Sequence, residues 1–373
     1  MGKTMRAIGL MSGTSMDGSD VAMIDTDGES RLERGPALTI AYDEEFRGSL
    51  QRAISEARHL ADRTGRPGCL AEVERELTRQ NAAAIERFLA EDSLRPAAVD
   101  VVGFHGHTVL HAPDRRLTVQ LGDGPGLAAA IGIDVVYDLR AADCAAGGQG
   151  APLAPVYHRA LAASLPQRPI AVLNIGGVAN VTWIGRSGEL ISFDTGPGNA
   201  LIDDWMQRRL GFPRDEHGSL AAKGRVHDDY VTQYLRHSYF GAPPPKSLDR
   251  NAFPLGLVHS LSPEDGAATL TAFTAASIAR AREHFPEQPQ LWVVSGGGRL
   301  NKTLMSMLAG HVEAAVAPAE AAGMDGDAVE AEAWAYLAVR SLKGLPISFP
   351  GTTGVPMPLT GGVLAKKGMP AKA

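Results

Sequence analysis

The sequence predicts an α/β protein built as two lobes with mixed sheets. Apolar strand-length runs alternate with amphipathic helices along 373 residues. A strand, a glycine-rich turn and a second strand open each half, as in an internally duplicated chain. The length also exceeds the roughly 250–300 residues at which a single core stops growing.

The first such device runs from Ile8 to Asp25. An apolar strand (Ile8, Leu10, Met11) leads into Ser12-Gly13-Thr14-Ser15-Met16-Asp17-Gly18-Ser19-Asp20, and a second strand follows from Val21 to Ile24. Glycines let a backbone approach a phosphate, hydroxyls add donors, and Asp17 and Asp20 can reach a metal through water. A plain surface turn has the same composition, so recurrence decides between the readings. The pattern returns at Asn174-Ile175-Gly176-Gly177-Val178-Ala179-Asn180 and at Ser295-Gly296-Gly297-Gly298-Arg299-Leu300-Asn301. The third copy passes from a strand at 291–295 into a helix, whose N-terminal dipole favours negative charge. Together the three turns suggest a nucleotide cradled between two lobes.

Phe46, Leu50, Ala53, Ile54 and Ala57 keep helical spacing, as do Leu70, Val73, Leu77, Ile85 and Phe88. Apolar strands are expected at 99–104, 117–121 and 133–137. The Gly147–Pro152 loop leads to a helix start, and the hinge falls within 164–169. The expected lobes are therefore 1–167 and 168–373, the final segment free to pack back on the first. In the second lobe, helices are expected from about Ala267 to Phe285 and from about Asp327 to Leu342, and Gly241–Lys246 reads as a stiff connector.

A formal net charge of −6 excludes a protein that coats nucleic acid. Two cysteines, Cys69 and Cys144, are too few for a disulfide framework. No signal-peptide or membrane-spanning run is present, so a soluble cytoplasmic protein without a membrane partner is expected. Gly2-Lys3-Thr4 lacks the strand and upstream glycine of a P-loop, and Asn180-Val181-Thr182 and Asn301-Lys302-Thr303 are sequons in the wrong setting. His105, His107 and His111 have no companion pair that would complete a zinc site. No protein-kinase signature occurs.

The chemical candidate is Ile191-Ser192-Phe193-Asp194-Thr195-Gly196-Pro197-Gly198-Asn199, a strand delivering an aspartate into a glycine turn. Asp194 is either a catalytic carboxylate or the residue that nucleates the turn or caps the helix starting near Ala200. Asp-Thr-Gly also occurs in aspartic proteases, but that chemistry needs two such carboxylates and an all-β chain, and this sequence has one triplet among many helices.

Gly9-Leu10-Met11-Ser12-Gly13-Thr14-Ser15-Met16-Asp17-Gly18-Ser19-Asp20 resembles the signature of the anhydro-N-acetylmuramic acid kinases. The resemblance runs in order over essentially the whole chain, through Phe104-His105-Gly106, Gln120–Asp123, Asp138 with Arg140, 145–155, 173–182, 193–204, Pro244-Lys246-Ser247, 295–301 and 327–331. It departs at His107, where Gln is expected, and at Gly124-Pro125-Gly126, where a simpler helix start is expected. The resemblance implies the two-lobed actin-like (ribonuclease H-like) ATPase fold, mixed sheets flanked by helices, with lobes closing over ATP and Mg2+. It implies a homodimer, a 1,6-anhydro amino sugar from cell-wall turnover as substrate, and N-acetylmuramic acid 6-phosphate and ADP as products. Levoglucosan kinase activity and a non-kinase actin-like ATPase are the alternatives.

On this reading Asp194 is general base toward water, because O6 of an anhydro sugar carries no proton. Gly13 to Asp20, Gly176, Gly177, Asn180, Gly196, Gly198, Asn199, Gly296, Gly297, Gly298 and Asn301 hold the nucleotide, and Asp17 and Asp20 the metal. Glu330 orients the sugar, unless it belongs to a capping box with Asp327. Arg140 takes the lactyl carboxylate, unless it pairs with Asp138 or Asp143. His105 and Gln120 complete the sugar contacts.

Overall fold

The computed structural model describes residues 2–13 and 16–368; Thr14 and Ser15 of the first turn lie outside them. In chain order the elements begin with strands β1 (Met5–Ser12), β2 (Gly18–Thr26) and β3 (Leu32–Ala41), then helices α1 (Glu44–Ala57) and α2 (Leu70–Glu91). Next come β4 (Val101–Phe104), β5 (His107–Ala112), β6 (Leu117–Leu121), α3 (Gly124–Ile131), β7 (Val135–Tyr137), α4 (Ala141–Ala145) and α5 (Pro155–Leu161). They are followed by β8 (Ile170–Ile175), β9 (Val178–Ile184), β10 (Leu190–Pro197), α6 (Ala200–Leu210), α7 (Asp228–Leu235) and α8 (Pro263–Ala279). The chain ends with β11 (Leu291–Ser295), α9 (Lys302–His311), β12 (Ala315–Pro318), α10 (Val329–Leu342), α11 (Pro350–Thr353) and β13 (Val363–Ala365).

The chain divides into two compact units, Met1–Ala163 with Ala328–Ala373, and Ser164–Asp327. In the first, the sheet runs β13-β7-β4-β1-β2-β3; in the second, β10-β9-β8-β11-β12. Counted from its own first strand, each unit has the order 3-2-1-4-5, with strands one to three antiparallel and one, four and five parallel. This duplicated ribonuclease H-like pattern is the actin-like fold. β5 and β6 form a separate ribbon, and β13 adds an antiparallel edge to the first unit.

Local chemistry explains the helices. Asp43 caps α1 by accepting from the Phe46 amide (2.7 Å), and Phe46, Leu50, Ala53 and Ala57 are buried along one stripe. α8 is buried on nearly every side and starts at Pro263 behind the Ser262 cap, ahead of the expected Ala267, because an all-round apolar helix carries no periodic signal. Its expected last turn, 280–284, is a 3₁₀ turn.

A pair of glycines brings α10 down onto the first sheet. Gly9 of β1 and Gly103 of β4 are register partners. A Cβ at Gly9 would lie 1.8 Å from the Ala331 carbonyl oxygen, and one at Gly103 would lie 2.0 Å from that of Trp334. Only bare backbone admits the helix at this depth. Among the described residues, no helix is long and apolar enough to cross a membrane.

Candidate active site

In the second unit, β8 and β9 join through the tip Gly176-Gly177. A Cβ at Gly176 would meet nothing nearer than 3.6 Å and one at Gly177 nothing nearer than 3.8 Å. Packing therefore does not demand glycine here, and the bare tip leaves room for a ligand against the backbone. Gly297 is equally open, its nearest neighbour Asn199 Nδ2 at 3.7 Å.

The other predicted glycines serve packing. A Cβ at Gly198 would fall 2.2 Å from the Gly176 carbonyl oxygen, at Gly298 2.3 Å from Ile175 Cγ2, and at Gly196 2.5 Å from Ser277 Oγ. Gly296 sits at φ +73° against Asn174. These contacts let the loops converge, and Asn199 Nδ2 ties them by donating to the Ile175 carbonyl (3.1 Å). The amides of Gly198 and Asn199 donate to the carbonyls of Gly177 and Gly176 (2.9 and 2.8 Å), so both are engaged within the protein.

The third loop does not pass straight into a helix. A 3₁₀ turn over Gly297–Leu300 comes first, and Asn301 then caps α9, its Oδ1 accepting from the Leu304 amide (2.9 Å). Asn301 thus serves the helix, and the dipole of α9 begins beyond the glycines.

Asp194 lies on β10, the edge strand, at the end of a row in which Asn174, Asn180 and Asp194 are register partners across three strands. Its amide donates to the Lys246 carbonyl (3.0 Å), its carbonyl accepts from the Tyr239 hydroxyl, and its Oδ2 accepts from the Leu248 amide (2.8 Å). It caps no helix: Asn199 occupies the cap position of α6. Burial pushes its carboxyl up to about 6 against the opposing pull of the Leu248 amide. A carboxylate tuned toward neutrality and held by one amide, on a residue whose own backbone is fixed by Lys246 and Tyr239, suits a general base.

In the first unit, several described residues in and after the turn between β1 and β2 are engaged within the protein. Ser19 is buried and donates to Asn81 Oδ1 (2.7 Å), and a Cβ at Gly18 would strike the Ile40 carbonyl at 2.5 Å. Asp20 accepts from the Thr39 hydroxyl (2.6 Å), while the Asp17 carbonyl accepts from the Tyr42 amide (3.0 Å). Met16 has φ +55° and donates to the Gly13 carbonyl (3.1 Å). No group of three His, Cys, Asp or Glu gathers as a metal cage among the described residues.

His105 and Gln120 line a cavity of about 860 Å³ with Arg63, Arg66, Tyr137 and Asp138. Gln120 donates to Thr118 and Thr108, yet its buried Oε1 has no partner; His105 Nδ1 likewise lacks a well-formed hydrogen bond. A buried acceptor such as Gln120 Oε1 can be satisfied by a polar ligand or by an ordered water in the cavity. Arg140 pairs with neither Asp138 nor Asp143. Asp138 binds Arg63, and Asp143 accepts from the Gly150 amide and the Thr353 hydroxyl. Arg140 instead donates to His105 Nε2 (3.1 Å) and the Gly150 carbonyl (2.9 Å), with its guanidinium 4.9 Å from the Trp334 ring centre. Burial, then Arg140, holds the His105 pKa well below its usual value, so the ring is neutral and accepts. Burial lowers Arg140 to about 10, which leaves it charged at neutral pH.

Glu330 is exposed on the first turn of α10, and its charge acts on Arg140. The capping box does not form: Ala328 occupies the cap position, and Asp327 takes both nitrogens of the Arg299 fork (2.9 and 2.8 Å). At the family departure, His107 Nδ1 lies 3.0 Å from Ser12 Oγ, to which Tyr42 also donates (3.0 Å). α3 still starts at Gly124, where a Cβ would strike the Tyr137 ring. Sequence reasoning overlooked Trp334, one helical turn after Glu330, and Tyr239; it placed Lys246 at the end of a stiff connector and within the family resemblance, but gave it no role.

A family model described as anhydro-N-acetylmuramic acid kinase matches residues 5–367. The chain belongs to the anhydro-N-acetylmuramic acid kinase family. Among its curated relatives of that name, the protein from Methylobacterium nodulans is 54% identical over 97% of this chain and 100% of its own. The one from Rhodopseudomonas palustris is 55% identical over 97% and 99%. The solved activator of 2-hydroxyisocaproyl-CoA dehydratase from Clostridium difficile, with bound ADPNP, has 14% identity and a TM-score of 0.44, covering 91% of this chain and 96% of that one. As a family member the enzyme is a kinase.

Proposed function

We propose that the enzyme uses water to open the anhydro bridge of 1,6-anhydro-N-acetylmuramic acid and transfers the γ-phosphoryl group of ATP to the freed O6. The products are N-acetylmuramic acid 6-phosphate and ADP. The observation that carries this reading is Asp194, a carboxylate raised to about 6 by burial and pinned at a sheet edge. O6 of the substrate has no proton to lose, so a base must act on water. Asp194 takes that proton as the water oxygen bonds to the anomeric carbon. The C–O6 bond breaks, and O6 attacks the γ-phosphorus in line as ADP leaves.

Gly176, Gly177 and Gly297 are suited to the phosphates, since their surroundings admit a ligand where a Cβ would be tolerated. Asp17 and Asp20 suit a magnesium ion borne by phosphate, which takes one or two carboxylates, often through water, rather than a full protein cage. Such an ion supplies charge neutralisation at the phosphoryl oxygens. The orphan Gln120 Oε1 accepts from an acetamido N–H, His105 Nδ1–H donates to a sugar oxygen, and Arg63 and Arg140 suit a lactyl carboxylate. Those groups favour a substituted, anionic sugar over levoglucosan. A cytoplasmic homodimer with no nucleic-acid or membrane partner, serving cell-wall recycling, completes the reading.

The test is ADP release with ATP and magnesium in the presence of 1,6-anhydro-N-acetylmuramic acid, levoglucosan, N-acetylmuramic acid or no sugar. Stimulation by the anhydromuramic sugar alone is expected. Preference for levoglucosan would overturn the substrate, and sugar-independent turnover alone would leave an ATPase.

A further inference from the structure

The segment 239–248 closes around Asp194. β10 is an edge strand, so the amide and carbonyl of Asp194 face away from β9, and both are met by this segment through the Lys246 carbonyl and the Tyr239 hydroxyl. The Leu248 amide reaches the carboxylate itself (2.8 Å). What holds the segment in place is the Lys246 ammonium. It donates to the carbonyls of Tyr239 (3.2 Å) and Phe240 (3.3 Å), lies 3.1 Å from His284 Nε2, and sits 4.9 Å and 5.5 Å from the ring centres of Tyr239 and Phe193. Phe193 is the residue before Asp194, so one cation grips both the strand and the segment that embraces it.

We infer that Lys246 is a positioning residue: it locks 239–248 so that the Leu248 amide and the Tyr239 hydroxyl fix the orientation of the Asp194 carboxylate. The inference rests on Asp194 being the base. The ionisable groups around the clamp are Tyr239 beside Asp194, and Arg280, Glu283 and His284 on the Lys246 side. Arg280 is bound to Glu283 (2.9 Å) and meets the segment only through the Phe240 ring, 5.5 Å from its centre, whereas Lys246 donates to the segment's own backbone carbonyls. Loss of the clamp frees the Leu248 amide, and the carboxyl then loses the one contact that pulls its pKa down.

Lys246→Met is expected to lower kcat about tenfold to a hundredfold, the size of a misplacement of about 1 Å, with KM for ATP and sugar within about twofold. The acid limb of its pH–rate profile should move to higher pH, and Lys246→Arg should restore most of the activity. Tyr239→Phe, which deletes only the hydroxyl, should shift the same two readouts and decides the matter if Lys246→Met fails to fold. Unchanged kcat and acid limb in the folded variants would overturn the clamp. Asp194→Asn separates the two ideas: retained turnover there removes the base and this inference together, whereas lost turnover with an unaffected Lys246→Met removes the clamp alone.

Discussion

At the residue scale, the role proposed for Asp194 couples chemistry to stability. A base must be ionised, so on that proposal kcat/KM should fall as pH drops through about 6, rather than near the ordinary carboxylate value of 3.8. A pH profile of kcat/KM checks this, and an acid limb near 4 would contradict it. Asp194→Asn should lose about a hundredfold to ten-thousandfold in kcat while still binding sugar. Stability moves the other way. The folded carboxyl holds its proton to higher pH than the unfolded one, so the unfolded state is favoured as pH rises from about 4 to about 6. Asp194→Asn escapes that penalty and keeps an acceptor for Leu248. It should be more stable than the parent at pH 8, by on the order of 2 kcal/mol, and equal at pH 4, as measured by denaturant unfolding. The sequence pointed to Asp194 because a strand delivered it into a glycine turn. It gave no sign of Tyr239 or Trp334 and no role for Lys246, because their contacts depend on which backbone atoms an edge strand or a buried helix presents.

At the element scale, glycines divide into those whose surroundings would admit a Cβ, proposed to face the nucleotide, and those that packing keeps bare, and one substitution of each kind separates them. Gly177→Ala places its Cβ 3.8 Å from Ala200 Cβ, an ordinary contact, so melting should be unchanged while KM for ATP rises about tenfold through lost approach of the phosphates. Gly298→Ala drives a Cβ to 2.3 Å from the Ile175 side chain and should cost about 1–3 kcal/mol of stability. Thermal melts and ATP kinetics on both proteins check the pair; a Gly177→Ala enzyme with unaltered KM would remove the tip from the nucleotide site. The motif itself cannot sort these glycines, since both kinds sit in the same short run. Ser19 and Asn301 illustrate the same limit: each is a suitable phosphate donor by type, but one is committed to Asn81 and the other to capping α9.

At the scale of the whole molecule, duplication was visible as two strand–turn–strand openings, because each is a local run of residues. The membership of residues 328–373 in the first unit is not local: it depends on α10 finding the bare strip made by Gly9 and Gly103 across β1 and β4. That strip also delivers Trp334 to His105 and Arg140, with ring centres of Trp334 and His105 4.4 Å apart. Gly9→Ala should therefore do more than destabilise one strand. Its Cβ would collide with the Ala331 carbonyl at 1.8 Å, a backbone atom that moves only if the helix moves, so a loss of about 3 kcal/mol or more is expected. Hydrogen exchange on the variant should show residues 5–12, 101–104 and 329–342 losing protection together, although more than three hundred residues separate the first from the last. If 329–342 instead kept the protection of its sequence neighbours 302–318 while 5–12 opened, α10 would not be the element that closes the first sheet.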